Sequence, residues 1–72
     1  MLFKDKTGKE VEVGNWLLDT DGIFEVTDVD AGAGHLAFVR EVFFEDANCD
    51  EYTLGPEFML TRNEVKLMEI IS

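Results

Sequence analysis

Residues 11–29 read VEVGNWLLDTDGIFEVTDV, and the fold turns on this stretch. Two apolar runs, residues 16–19 and 23–29, flank Asp19-Thr20-Asp21-Gly22. Aspartate and glycine both tolerate positive φ, so Asp-Gly between apolar runs predicts a tight hairpin turn. Upstream, Gly14-Asn15 breaks a shorter alternation at residues 11–13, and Thr7-Gly8 separates that from residues 2–4. Each of these short alternations predicts a strand. Downstream, the run from residue 36 to residue 44, LAFVREVFF, is the longest strand candidate, followed by a polar loop at 45–51 and a strand at 52–60 interrupted by Gly55-Pro56. Turn signals every eight to twelve residues are the spacing of a small barrel or sandwich.

The strand at residues 36–44 has no ordinary solvent face. Leu36, Phe38, Arg40, Val42 and Phe44 share one side, and Ala37, Val39, Glu41 and Phe43 share the other. Both are more than half apolar. Two explanations fit: a bulge bends the strand, or the second side, with Val39 and Phe43, meets another chain. The bend is the commoner solution in small barrels. Near the C-terminus Thr61-x-x-Glu64 spells a capping box. It opens either a helix running from residue 62 or one helical turn followed by a short strand at 67–71. The β-rich remainder favours the second.

Residues 11–29 resemble the opening of small SH3-like barrels, which begin with a strand, a Gly-Asp/Asn-hydrophobic step and a hairpin. Gly14-Asn15-Trp16 supplies the step, and Gly22-Ile23-Phe24-Glu25-Val26 supplies the returning strand. Small size and acidity are similar to those of accessory proteins of bacteriophages and mobile elements. The resemblance implies one small SH3-like barrel of about five strands over residues 1–72, mostly β, with a short helical turn near the C-terminus. Barrels of this kind host many activities, so the likeness implies a fold and assigns no function. The basic loops of nucleic-acid-binding members are missing.

Charge narrows the function further. The 72 residues carry 16 acids and 6 bases, a net charge of −10. Between residues 10 and 60 there are thirteen acids and one base, Arg40, which sum to −12. Such a surface repels phosphates and anionic lipid heads, which argues against direct nucleic-acid or membrane binding and favours a protein with a basic surface. The candidate contacts are Glu25, Asp28, Asp30, Glu41, Glu45, Asp46, Asp50 and Glu51. A merely solubilising surface is the plainer explanation for these acids, but such surfaces usually mix both signs. On this reading the chain is an inhibitor that mimics nucleic acid and blocks a basic groove of a host or defence protein, phage-encoded as the resemblance implies. The alternative is a self-associating assembly subunit that uses Phe43 and Val39.

Chemistry-bearing patterns are thin. Placing Gly22 at the sixth position of a calcium loop puts Leu17 where an acidic ligand is required, so Asp19 to Gly22 reads as a turn with no metal. The stretch Ala31-Gly32-Ala33-Gly34 lacks the Lys-Ser/Thr of a phosphate cradle and reads as a loop. Cys49 and His35 form no convincing nucleophile pair, because Asp46, Asp50 and Glu51 oppose thiolate formation. No cofactor and no catalytic residue is expected, and the chain reads as a binding protein, not an enzyme. A lone cysteine and the lack of an export-like apolar run predict a reducing, cytoplasmic setting, the bacterial host's cytosol if the chain is phage-encoded. Most of the eight aromatics are expected in the core, with one of the adjacent pair Phe43 and Phe44 exposed.

Overall fold

The computed structural model describes residues 3–30, 36–45, 48 and 50–72. Five antiparallel strands form one sheet: β1 (Trp16–Asp19), β2 (Gly22–Asp30), β3 (Leu36–Phe44), β4 (Tyr52–Thr61) and β5 (Glu69–Ile70). A single helical turn, α1 (Arg62–Val65), precedes β5. The order across the sheet is β4-β3-β2-β1-β5, a meander whose last strand returns to the side of its first. The mostly β fold of five strands with a short C-terminal helical turn is as the sequence predicts. Among the described residues no helix is long and apolar enough to cross a membrane.

Local chemistry explains most boundaries. Asp19 pairs with Gly22, so the two-residue turn is Thr20-Asp21, one step earlier than the Asp-Gly signal implies. Gly22 opens β2 at φ +145°, a conformation side-chain-bearing residues rarely adopt. Thr61 caps α1: its hydroxyl accepts from the Glu64 N–H, and the Glu64 carboxylate accepts from the Thr61 N–H at 3.0 Å. This is the reciprocal box that the spacing predicts. Backbone bonds from Leu67 to Glu64 and from Met68 to Val65 tighten the turn before β5.

One core lies on one side of the sheet. Phe3, Val11, Leu17, Phe24, Val26, Ala37, Val39, Leu60, Val65 and Met68 form it. Cross-strand partners share a face, and the ladder places Val26 opposite Val39, Val39 opposite Phe58, and Ala37 opposite Leu60 on this side.

Two expectations need correction. Residues 3, 4 and 11–13 belong to no strand: the described part of the N-terminal segment makes one isolated bridge, Lys4 with Glu10. Its backbone is bent instead around the Asp5 carboxylate, which accepts from the N–H groups of Thr7 and Lys9. Val39 is no part of an outward face, because it is fully buried in the core. The side of β3 carrying Ala37 and Val39 faces inward, and the side carrying Phe38, Val42 and Phe44 faces out. The irregularity expected within β3 lies in its neighbours. An extra residue stands in β2 between Val26 and Asp28, and another in β4 opposite the step from Arg40 to Val42, at Gly55-Pro56.

Candidate binding surface

The outer face of the sheet carries a second apolar cluster, separate from the core. Leu18, Ile23, Val42 and Leu54 lie opposite one another across β1 to β4. Val42 is buried, at 5% exposure, yet stands outside the core cluster. On the same face Trp16, Phe44 and Tyr52 pack edge to face. The Trp16 ring lies 5.1 Å from Tyr52 and 5.8 Å from Phe44, and Phe44 lies 6.4 Å from Tyr52. Such contacts contribute ~1 kcal/mol each beyond simple burial. Trp16 and Phe44 are half-buried and Tyr52 is exposed. The Trp16 indole N–H donates to Glu25 Oε1 at 3.1 Å, tying a carboxylate to the aromatic group.

The acidic residues fall into two groups. Glu25, Asp28 and Asp30 all project from the outer face of β2. Simple alternation separates residue 25 from residues 28 and 30, and the extra residue at Thr27 brings them together. The Thr27 hydroxyl donates to Glu57 Oε2 at 2.6 Å, holding one more carboxylate beside them. Arg40 stands directly between Glu25 and Glu57 in the ladder. Glu45, Asp50 and Glu51 form the second group, in the exposed connection from β3 to β4. A backbone bond from Glu45 to Glu51 closes this connection. The first group runs from Glu25, opposite Arg40 and ~13 Å along the strand from Phe44, to Asp30, opposite Leu36 and ~26 Å from Phe44, so the second group lies beyond one end of it.

Glu41 joins neither group. It lies opposite Phe24 on the core side, and a Cβ at Gly22 would sit 3.3 Å from its Oε2. Asp46, Cys49, His35 and the 31–34 loop lie outside the described residues. Phe43 is 47% exposed, as expected of one member of the Phe43-Phe44 pair. Its ring lies over Gly55, where an added Cβ would come within 2.8 Å of it.

The outer cluster of Trp16, Val42, Phe44 and Tyr52 is what the sequence reading missed as a surface. Its signal is present in β3: Arg40-Glu41 interrupts the apolar run, and Val42 and Phe44 continue the side that Ala37 and Val39 do not occupy. A depression of about 280 Å³ near the β1–β2 turn is lined by Lys6, Leu18, Asp19, Thr20 and Leu67. Its ionisable lining is one carboxylate, Asp19, and one ammonium, Lys6. Among the described residues no group of three or more His, Cys, Asp or Glu side chains is arranged to hold a metal ion. No family model, curated protein or solved structure matches this chain.

Proposed function

We propose that this chain is a non-enzymatic binding protein that engages a basic surface of another protein through the outer face of its sheet. The observation that carries the reading is the apolar cluster outside the core, with Val42 buried between Ile23 and Leu54 and with Trp16, Phe44 and Tyr52 beside it, bordered by carboxylates. The solvated face of an antiparallel sheet is ordinarily polar. Aromatic faces attract guanidinium and ammonium groups, and carboxylates bind them by charge-assisted hydrogen bonds. A surface that offers both suits a lysine- or arginine-bearing partner.

In its most specific form the reading makes the chain an inhibitor that occupies the nucleic-acid-binding groove of a host or defence protein. The two acidic groups would then contact the groove at separate points, with the aromatic cluster as the apolar anchor. The test is capture of partners from a bacterial lysate at low and high salt, repeated with Glu25, Asp28 and Asp30 changed to Lys and with Trp16→Ala. Capture of a basic protein that is lost at high salt and lost in the charge-reversed variant supports the proposal. Capture that survives both changes sinks it. If added nucleic acid fails to compete, the mimicry form fails and the broader binding reading stands.

A further inference from the structure

The edge of the sheet at β4 offers a second kind of contact, made by backbone. Of the nine exposed large apolar side chains among the described residues, five lie on β4 or beside it on β3: Phe43, Tyr52, Leu54, Phe58 and Met59. By register Tyr52, Leu54 and Met59 project from the outer face, and Phe43 and Phe58 from the core side. The margin is therefore apolar on both faces, which suits a sheet continued by another strand better than one that ends in water. Gly55-Pro56 interrupts the ladder and Pro56 has no N–H, so residues 57–60 are the regular platform. Along it the core side presents Phe58 and Leu60, and the outer face presents Glu57 and Met59.

Charge selects the occupant. From residue 41 to residue 57 the chain carries six acids and no base. A second copy would bring a net charge of −10 against another of −10. A basic segment meets no such repulsion. We propose that residues 57–60 of β4 accept an extended segment of a partner protein by strand addition, with apolar residues toward Phe58 alternating with basic residues toward Glu57. This rests on the reading of the chain as a binder of basic proteins, and it specifies the segment bound.

The test uses the full chain and three labelled octapeptides: alternating Val and Lys, alternating Ser and Lys, and alternating Val and Glu. The Val/Lys peptide is expected to bind about tenfold more tightly than Ser/Lys, with no binding by Val/Glu. On binding, alternate β4 amides should gain protection from hydrogen exchange. Met59→Lys should weaken binding about tenfold, with an unchanged circular dichroism spectrum. Equal affinity for the two lysine peptides, or resonance shifts at Trp16 without β4 protection, overturns strand addition and leaves the basic-partner reading standing. No binding by either lysine peptide overturns both. A peptide-free dimer that protects β4 gives the edge to a second copy and overturns the assignment.

Discussion

The β5 edge is closed by the chain itself, whereas the longer β4 edge is met by no other strand among the described residues. At β5, the Ile70 N–H donates to Asp5 Oδ2 at 2.9 Å and the Lys6 N–H donates to the Met68 carbonyl at 2.8 Å. On its other side β5 continues its pairing with β1, through Ile71 to Trp16 and Trp16 to Ser72. A surface ion pair between Lys6 and Glu69 at 3.5 Å lies over the same junction. At β4, Phe58 and Met59 are exposed on opposite faces. The contrast separates two jobs within one sheet. A chain of 72 residues with one cysteine has no intrachain disulfide to stabilise it, so its termini are joined by hydrogen bonds at the β5 edge. The β4 edge is the site of the proposed strand addition.

Asp5 is where this contrast can be broken most decisively. Its carboxylate is buried and accepts from the Thr7 N–H and hydroxyl, the Lys9 N–H and the Ile70 N–H. Asp5→Ala leaves three backbone donors without their acceptor and should cost about 3 kcal/mol in urea denaturation. In the same variant the Ile70 amide should lose most of its protection from exchange, while β4 amides are unaffected.

The same carboxylate gives the second-largest effect. Burial alone would raise its pKa, but the bonds from Ile70, Thr7 and Lys9 outweigh burial and lower it from 3.8 to about 2. The unfolded chain therefore binds the proton more readily between those values. The contribution, about 2 kcal/mol, is complete above pH ~4 and is lost as the pH falls toward ~2. Denaturation midpoints measured across that window should fall in the parent, and Asp5→Asn should remove this part of the slope.

Thr61→Ala tests the junction between the two edges, since Thr61 ends β4 and caps the turn that leads to β5. Loss of the capping box should cost about 1 kcal/mol, read from thermal or urea melts. Met59→Lys gives the smallest effect. Met59 is 56% exposed, so its replacement should change stability by less than ~0.5 kcal/mol while weakening the proposed strand addition about tenfold. A large loss of stability would mean that the β4 margin is structural.

Local signals explain how much of this was legible beforehand. The spans of β1 and β3, the hairpin between β1 and β2, and the Thr61–Glu64 box follow from alternation, turn residues and capping chemistry within a few positions of each other. The role of Asp5 was not legible, because its bond to Ile70 joins residues 65 positions apart. Alternation in β3 sorts its residues correctly into two sides but does not say which side is buried, which is why Val39 stands beside Phe43 in the self-association alternative. The acidic site was legible only in composition. The extra residue at Thr27 aligns Glu25 with Asp28 and Asp30, and that residue is visible only in the pairing of β2 with β3.

The most direct test of the contrast is native-state amide hydrogen exchange on the free protein at several concentrations. The account predicts slow exchange at Ile70 and Lys6, fast exchange at alternate amides along residues 57–60, and no dependence on concentration. Protection along all of residues 57–60 that grows with concentration would contradict it, because the edge would then be covered by a second copy of the chain.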